Sequence, residues 1–418
     1  MKAFNGELNS HRQMSRKIYV ESYGCTQEKS ETGLYVNKIM DEDDKITQNP
    51  EEADLRVIGT CVVIKKTENK MLERIGYLSE MGQTTVIGCL PPISNGTLVE
   101  KNVNVISQAD FRSLYKGELD NIEIKEPSIL DGIPINQGCT GNCNFCISRV
   151  ARGKLLSRTP DKICNQISMI LQRGKKEIRI SSLDTAAYGK DIGIRLPALI
   201  NRATSIEDFF RLRVGMMEPK NTEEIVDGLL DSYKNEKVFK FLHLPVQDGD
   251  DRILELMNRE YSVGSYYHIN EKFRSAFRDG VFSTDIITGY PDSDDESFRK
   301  TCELLYKSRP DIVNITTFSP RQYTRDFNKK MPPSNLIKKW GGEYTRIHKE
   351  ILSQNQGEFI GREMKIFITE KGKKGTVVGR DESYRPVVIK SELPLFSMED
   401  VEIVEAGPTY LIGKTIKA

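Results

Sequence analysis

The sequence lacks the features that would place it in a membrane or on an export route. No apolar run approaches the roughly 20 residues that a transmembrane helix needs. The first 16 residues are polar and carry no apolar core of the ~7–15 residues found in signal peptides. We therefore expect a cytoplasmic protein with no membrane partner, whose eight cysteines are reduced and available as metal ligands.

Net charge is also lacking. The 61 Lys and Arg residues nearly balance the 60 Asp and Glu residues, so the formal charge is +1. The field of the whole molecule therefore does not indicate a nucleic-acid-binding protein, and any such surface has to be local. The 418 residues and the 38% hydrophobic composition are ordinary for two or three globular domains of about 150 residues each.

Histidine is scarce, which limits the metal ligands that could join the cysteines of the most distinctive stretch, residues 139–146. The chain has only four histidines, and none lies near this stretch. Cys139, Cys143 and Cys146 stand there at Cys-x3-Cys-x2-Cys spacing. A structural zinc site needs four ligands, and a disulfide framework is typical of short secreted chains. Three thiolates suit three corners of a 4Fe–4S cluster whose fourth iron stays open to a substrate.

A second set of three cysteines has a shared position in the predicted topology. Strand-like segments at 17–23, 53–59 and 84–88 alternate with helical patterns at 31–40 and 65–81, which predicts an α/β domain with a parallel sheet. Each segment is followed by a cysteine, and the carboxyl ends of such strands line one crevice. These are Cys25, Cys61 and Cys89. We expect a second triad of cluster ligands there; the alternative is three independent buried cysteines.

The central part of the chain predicts a partial parallel barrel of six βα units. The strand-like segments are 131–136, 177–182, 210–215, 240–246, 282–289 and 312–318. The helical segments are 159–173, 221–234, 251–257, 266–278 and 295–307. Reactive groups of such barrels lie at the carboxyl ends of the strands, and the 139–146 stretch directly follows the first strand.

Polar residues and a glycine near the ends of later strands predict a nucleoside-like cofactor at this barrel mouth. They are Ser181, Asp184, His243, Gln247, Asp285 and Gly289. Singly, each of them fits ordinary loop chemistry equally well. Cys164 and Cys302 fall inside helical segments and are expected to be small core residues.

The last part of the chain predicts a small antiparallel β-barrel. Five short strands at 364–370, 375–379, 385–389, 400–405 and 411–416 are separated by turns. The stretch 371–390 holds six basic residues against two acidic ones, which favours RNA binding over a merely solvated barrel. A more basic run, 149–179, follows the cysteine stretch with nine basic residues against two acidic ones. We expect domains at 17–125, 126–355 and 356–418.

Motifs through almost the whole chain carry a family resemblance. They are Tyr23-Gly-Cys25-Thr, Thr60-Cys61-Val, Gly88-Cys89-Leu, Gln137-Gly-Cys139 through Cys146, Arg213-Val-Gly-Met-Met, His243-Leu-Pro-Val-Gln247, Met257-Asn-Arg259-Glu-Tyr and Thr284-Asp-Ile-Ile-Thr-Gly-Tyr-Pro291. In this order they resemble the radical S-adenosylmethionine methylthiotransferases.

The resemblance implies two 4Fe–4S clusters with separate tasks. The cluster at Cys139, Cys143 and Cys146 would bind S-adenosylmethionine and generate the 5′-deoxyadenosyl radical. The auxiliary cluster at the other triad would present the sulfur that replaces a hydrogen as CH3–S. The C-terminal barrel resembles the RNA-binding TRAM domain of the family.

Some positions depart from the family pattern. Gly59 replaces the usual Asn, Gln27-Glu-Lys replaces Leu-Asn-Gln, Asp248 replaces Ser, Asp292-Ser293 replaces Gly-Glu, and Arg321-Gln-Tyr replaces Arg-Pro-Gly. The six cysteines are unaffected. The departures fall where hydrogen bonds would tune a cluster.

The resemblance also implies a substrate, C2 of a hypermodified adenosine beside the anticodon of a tRNA. Similarity to the archaeal and eukaryotic branch favours N6-threonylcarbamoyladenosine, whose carboxylate would suit Arg259 or Arg321. Lys371, Lys373 and Lys374 are expected to meet RNA. An electron donor such as flavodoxin or ferredoxin and a sulfur donor are the further partners.

Three alternatives remain from the sequence. The first alternative is methylthiolation of N6-isopentenyladenosine in tRNA. The second is methylthiolation of an aspartate in a ribosomal protein. A different class of function is an iron–sulfur protein that binds RNA or senses redox state without turnover.

Overall fold

The structure of the chain, a computed structural model, describes residues 15–117 and 122–416. These residues belong to two units, Met1–Asp131 and Gly132–Ala418. Among the described residues, no helix combines the length and the apolar character that crossing a bilayer requires.

In the N-terminal unit, strands and helices alternate around one parallel sheet. The elements are β1 (Lys17–Ser22), α1 (Thr26–Ile39), β2 (Lys45–Thr47), β3 (Leu55–Thr60), α2 (Lys65–Glu80), β4 (Thr84–Gly88), α3 (Pro91–Val99), β5 (Asn104–Val105) and α4 (Gln108–Tyr115). The strand order is β2-β1-β3-β4-β5, and each adjacent pair is parallel. β3 and β4 are buried along their whole length, as expected for parallel strands that are covered on both faces. β2 and β5 are too short to show a strand pattern in the sequence.

The second unit begins with the predicted βα repeats. Its elements up to the long helix are β6 (Ile133–Pro134), β7 (Asn136–Gln137), α5 (Ile147–Arg152), β8 (Leu156–Ser157), α6 (Pro160–Gln172), β9 (Glu177–Ser181), α7 (Leu196–Thr204), β10 (Arg211–Val214), α8 (Pro219–Glu223), α9 (Val226–Tyr233), β11 (Phe241–His243), α10 (Asp251–Leu256), α11 (Val263–Ala276), β12 (Val281–Thr288), α12 (Asp295–Ser308), β13 (Ile312–Thr317) and α13 (Ser334–Gly357). The helices α5, α7 and α13 have no counterpart in the sequence-based expectation, and the single helix expected at 221–234 is divided between α8 and α9.

Six of these strands lie side by side in chain order. β6, β9 and β10 form one parallel group, and β11, β12 and β13 form another. A backbone hydrogen bond of 2.9 Å from the Met217 amide to the His243 carbonyl joins the two groups, and Leu212 bridges Val238. The order β6-β9-β10-β11-β12-β13 confirms the predicted partial barrel. The carboxyl ends of all six strands therefore point to one mouth.

The C-terminal segment forms a closed five-stranded barrel of β14 (Glu363–Lys371), β15 (Val377–Arg380), β16 (Pro386–Ile389), β17 (Met398–Ala406) and β18 (Leu411–Thr415). The predicted barrel is confirmed, but it is not wholly antiparallel, because β16 and β18 pair in parallel. Strand directions cannot alternate all the way around a closed ring with an odd number of strands. The expectation of an antiparallel barrel was therefore wrong for this one pair.

The small barrel packs on the end of the partial barrel opposite the mouth. The Tyr384 hydroxyl donates a hydrogen bond to Glu177, the first residue of β9, at 2.8 Å. The Tyr384 ring lies 4.9 Å from the ring of Phe239 and 5.7 Å from that of Phe241, at the start of β11. The Arg213 guanidinium lies 4.7 Å from the centre of the same tyrosine ring. This cation–aromatic cluster fixes one barrel against the other.

Candidate active site

The 139–146 stretch forms a tight loop between β7 and α5, at the mouth of the partial barrel. The Cys139 amide donates to the Gly153 carbonyl at 3.1 Å, and the Cys146 amide donates to the Cys143 carbonyl at 3.3 Å. The Gly141 amide donates to Cys139 Sγ at 3.2 Å. A Cβ at Gly141 would lie 3.4 Å from Cys139 Sγ and 3.7 Å from Cys143 Sγ. The loop therefore curves closely around the sulfur atoms.

The three cysteines of this loop line one cavity with three of the residues predicted to bind a cofactor. Asp184 and Gln247 reach the cavity from the loops after β9 and β11, and Asp285 reaches it from within β12. These residues lie far apart in the sequence, and the parallel strand order brings them together. Leu183, Met216, Met217 and Pro245 provide an apolar wall. The cavity thus combines thiols, carboxylates and an amide with a surface that excludes water.

Asp184 is the most firmly held polar group of the cavity. Its carboxylate accepts hydrogen bonds from Asn221 Nδ2 at 2.6 Å and from the Glu218 amide at 3.0 Å. It also accepts one from the Ala186 amide at 3.0 Å. Burial raises the pKa of Asp184 above its ordinary value, although these three donors act in the opposite direction. Such a pre-oriented carboxylate is suited to an ammonium or hydroxyl group of a ligand.

Arg259 and Glu218 form a buried charged pair beside the cysteine loop. The Arg259 guanidinium lies 3.8 Å from Glu218 Oε1 and 5.5 Å from the centre of the Phe145 ring. Burial works to lower the pKa of Arg259, but electrostatic interactions with Tyr261, Cys143 and Glu218 more than offset this effect and raise the pKa. Burial, followed by repulsion from Asp184, raises the pKa of Glu218. The sequence reasoning missed Glu218, although it directly follows the Arg213–Met217 motif.

The other predicted cofactor residues do not line the cavity. His243 Nε2 is hydrogen-bonded to Asp285 Oδ1 at 2.8 Å, and Asn314 Nδ2 donates to the same oxygen at 2.7 Å. His243 therefore orients Asp285. Ser181 is buried within the sheet, at 1% exposure. Gly289 has a φ of +74° and packs against Ile337, whose side chain leaves no room for a Cβ.

The predicted basic surfaces are only partly exposed. Arg152 and Arg158, within the 149–179 run, are buried at 1% and 2% exposure. Arg149 is exposed at the rim of the cavity, whereas Arg321 is buried and lies outside the lining. Lys371, Lys373 and Lys374 are exposed at the turn between β14 and β15.

In the N-terminal unit, the structure gathers the second triad at the carboxyl edge of the sheet. Cys25 lies just beyond β1, and Cys61 and Cys89 directly follow the neighbouring strands β3 and β4. The Cys89 amide donates to the Thr60 carbonyl at 3.0 Å, next to Cys61. Cys25 is near enough that its charge contributes, after burial, to the raised pKa of Cys61.

Two of the three cysteines in this triad, Cys25 and Cys89, follow a glycine that the backbone requires. Gly24, before Cys25, has a φ of +112°, and a Cβ there would lie 2.8 Å from Cys61 Cβ. Gly88, before Cys89, has a φ of +105°, and a Cβ there would lie 2.6 Å from the Thr60 carbonyl oxygen. Only glycine allows both the left-handed backbone and the close approach of the strand ends.

Both triads fit a cluster better than a single metal ion. Burial raises the pKa of Cys139 to about 12 and also raises the pKa of Cys143, so these thiols need a strongly positive partner to bind as thiolates. Among the described residues, no three His, Cys, Asp or Glu side chains converge as one ion would require. In a 4Fe–4S cluster each thiolate binds a different iron, so the sulfur atoms stay apart. Neither triad has a fourth cysteine in its motif, so a 4Fe–4S cluster bound there would have one iron without a cysteine ligand.

Comparisons with known proteins agree with the two-unit plan. The model of the radical SAM superfamily matches residues 133–305, and that of the uncharacterized protein family UPF0004 matches residues 17–107. A probable threonylcarbamoyladenosine tRNA methylthiotransferase of Pyrococcus horikoshii is 34% identical, over 96% of this chain and 99% of its own. This chain belongs to the radical S-adenosylmethionine methylthiotransferase family.

Further relatives are consistent with this assignment. A probable threonylcarbamoyladenosine tRNA methylthiotransferase of Methanocaldococcus jannaschii is 36% identical, over 86% of this methylthiotransferase and 89% of its own chain. A tRNA-2-methylthio-N(6)-dimethylallyladenosine synthase of Thermosipho melanesiensis is 29% identical, over 96% and 99% of the two chains. The family's cofactors are S-adenosylmethionine and two 4Fe–4S clusters, as the cysteines predicted.

A solved structure shares the fold. A radical S-adenosylmethionine methyltransferase of Kitasatospora setae, determined with cobalamin and a 4Fe–4S cluster, superimposes with a TM-score of 0.54. It covers 75% of the methylthiotransferase and 77% of its own chain at 11% identity. At this identity the likeness shows the fold alone.

Proposed function

We propose that this methylthiotransferase converts N6-threonylcarbamoyladenosine beside the anticodon of tRNA to its 2-methylthio derivative. S-adenosylmethionine serves as radical source and methyl donor. The observation that carries the proposal is the pair of separate cysteine triads, each of which would hold a cluster by three ligands, in a chain that aligns over nearly its full length with relatives named for this activity. Identity is also higher to these relatives than to the dimethylallyladenosine synthase, 34% and 36% against 29%.

The residues of the mouth divide into metal ligands and cofactor-binding groups. When bound, the cluster at Cys139, Cys143 and Cys146 supplies the electron for reductive cleavage of S-adenosylmethionine, and the auxiliary cluster supplies the sulfur. Asp184 and Asp285 accept hydrogen bonds from the ammonium and hydroxyl groups of the cofactor. The apolar wall around Met216 and Met217 excludes water from the reacting region.

Two arginines are the candidates for the threonyl carboxylate. Arg259 is fixed inside the cavity by its contacts with Glu218 and Phe145. Arg149 is exposed at the cavity rim, where an RNA substrate arrives first. Arg321, also proposed from the sequence, is buried outside the lining and is better suited to support the loop after β13.

The remaining assignments follow from this function. Residues 17–125 act as the auxiliary-cluster domain, 126–355 as the radical domain and 356–418 as a TRAM-like RNA-binding domain. The 371–374 turn binds the RNA backbone. The enzyme works in the cytoplasm with a reductant such as flavodoxin or ferredoxin and with a separate sulfur donor.

The test is anaerobic turnover followed by mass spectrometry of tRNA nucleosides. We expect 2-methylthio-N6-threonylcarbamoyladenosine to form with S-adenosylmethionine, dithionite and tRNA that carries the precursor. Conversion of N6-isopentenyladenosine instead would show that this nucleoside is the substrate. Modification of a ribosomal protein alone would show that the substrate is a protein aspartate. Absence of 5′-deoxyadenosine from protein with both clusters would contradict radical catalysis and favour a binding or sensing protein.

A further inference from the structure

The segment 319–333, between β13 and α13, lies against the cysteine loop at the barrel mouth. The Asp326 amide donates to the Asn144 carbonyl at 3.3 Å, and Arg325 Nη1 donates to Asn144 Oδ1 at 3.2 Å. Asn144 stands between two of the cluster ligands. The Tyr290 hydroxyl donates to the Asp326 carboxylate at 2.5 Å and ties the segment to the end of β12. The segment is therefore a fixed part of the mouth.

Its outward surface is positively charged. The segment contains four basic residues and one acidic residue. The acidic residue, Asp326, has an exposed fraction of 0%, so its carboxylate faces the interior and pairs with Lys329 at 3.0 Å. Arg325, Lys329 and Lys330 are exposed. A polyanion that approaches the active site over this segment would be attracted by its exposed cations and would not be repelled by an exposed carboxylate of the segment.

The same surface exposes two aromatic rings. Tyr323 is 61% exposed and Phe327 is 43% exposed, which is unusual for large side chains with so much apolar area. Neither exposure helps the fold, because burial of these rings is what would stabilise it. Flat rings beside exposed cations are the means by which proteins bind unpaired nucleotides.

The backbone at Tyr323 strengthens this interpretation. Its φ is +71°, in the left-handed region that bulky side chains avoid at a cost of roughly 1–2 kcal/mol. Glycine would adopt this conformation without strain. The tyrosine thus adds strain without adding buried area. Strain that packing does not explain is a mark of a functional residue.

We propose that Tyr323 and Phe327 stack on unpaired bases of the RNA substrate while Arg325 and Lys330 bind the adjoining phosphates. This inference rests on the proposed function, because it takes the substrate to be a tRNA loop. The segment holds the flanking nucleotides beside the cysteine loop, and the target adenosine is thereby presented to the mouth. The surface is separate in sequence from the 371–374 turn of the small barrel.

The test compares Tyr323→Gly with Tyr323→Phe in the full-length protein. The probe is an unmodified anticodon stem–loop RNA, and its affinity is measured at several salt concentrations. We expect Tyr323→Gly to weaken binding by about tenfold or more, the loss typical of one stacked base, and Tyr323→Phe to retain binding. Tyr323→Gly should at the same time unfold at an equal or higher temperature, because it removes backbone strain. A side chain with only a structural role would not move affinity and stability in opposite directions.

Two further variants complete the test. Lys330→Ala should reduce the slope of log affinity against log salt by about 0.7, the value for one phosphate of a single strand. Tyr306→Ala is the control, because Tyr306 is also exposed, at 43%, but lies near the end of α12, which leads to the opposite end of the barrel. Its RNA affinity should equal that of the wild type.

The outcomes separate this inference from the proposed function. Wild-type affinity in Tyr323→Gly, together with normal RNA binding by the wild type, would overturn the stacking surface alone. Failure of the wild-type protein to bind the stem–loop, with binding of a protein substrate instead, would overturn both. Equal losses in Tyr323→Gly and Tyr306→Ala would also overturn it, because the effect would not be specific to the mouth.

Discussion

Gly59 and Glu28 occupy a shared space next to the auxiliary triad. A Cβ at Gly59 would overlap Glu28 Oε1 and Thr32 Oγ1 and would lie 2.9 Å from Glu28 Cδ. Glu28 is only 1% exposed, and its carboxylate accepts hydrogen bonds from Ser22 and Thr32, each at 2.7 Å. Both positions are departures from the family pattern. The structure shows that the carboxylate fills the volume that a side chain at residue 59 would take.

Gly59→Ala should therefore be strongly destabilising for its size. Overpacking of one methyl group typically costs about 1–3 kcal/mol. Displacing the carboxylate would also weaken hydrogen bonds to a charged group, worth about 1.5–3 kcal/mol each. We expect a total loss of roughly 2–4 kcal/mol. In a Glu28→Ala background the carboxylate is absent, and Thr32 Oγ1, which has then lost its partner on Glu28, is the one remaining atom that overlaps the new Cβ. The same glycine substitution should therefore cost less there, with a coupling of about 1–3 kcal/mol.

The assay is a double-mutant cycle on anaerobically purified protein. The unfolding transition of the N-terminal unit is followed together with iron per chain, because a displaced Glu28 would disturb the strand end that carries Cys61. Gly96→Ala is the matched control, since a Cβ there meets nothing within 4 Å. The control should be neutral or slightly stabilising, as helical Gly→Ala changes are. Equal costs of Gly59→Ala in both backgrounds would refute the shared-space argument.

Three other predictions concern the clusters, the pH dependence and the small barrel. Cys61→Ala should retain reductive cleavage of S-adenosylmethionine but lose methylthiolation, whereas Cys143→Ala should lose both activities. If Cys61→Ala also lost the cleavage activity while its cluster at Cys139, Cys143 and Cys146 was intact, the two clusters would not have separate tasks. Burial raises the pKa of Asp248 to about 7. Between pH 4 and pH 7 the folded state therefore keeps a proton that the unfolded state releases. The free energy of unfolding should fall by up to about 4 kcal/mol as the pH rises through this range. Asp248→Asn should remove this slope and be the more stable protein at pH 8, as urea unfolding at several pH values would show. Replacing the three lysines at 371–374 by Ala should weaken tRNA binding and lower its salt dependence by about 0.7 to 0.9 per lost phosphate contact, and an unchanged slope would exclude the turn from the RNA surface.

The cysteine positions could be predicted because they follow from topology. Parallel strands in chain order carry their carboxyl ends to one edge, so Cys25, Cys61 and Cys89 had to be neighbours if the segments were strands. The same rule placed Asp184, Gln247 and Asp285 with the other triad. Strand periodicity and chain order were sufficient for this part of the site.

What the sequence could not show is which side chains face inward. The number of basic residues in 149–179 predicted a basic surface, but the side chains of Arg152 and Arg158 are buried. Glu218 follows a recognised motif, yet its place in the cavity depends on the hydrogen bond between the ends of β10 and β11. Such contacts join residues that are remote in the chain and leave no local pattern.

The departures at residues 28, 59 and 323 show most clearly what three dimensions add. In the sequence they are separate exceptions to a pattern. In the structure, the departures at Glu28 and Gly59 depend on each other, because the Glu28 side chain leaves room only for glycine at residue 59. Tyr323 has no such partner: it is 61% exposed and its backbone is strained. The departure at Gly59 is compensated by a neighbour and preserves the fold, whereas the strained and exposed Tyr323 is the position at which we propose a contact with RNA.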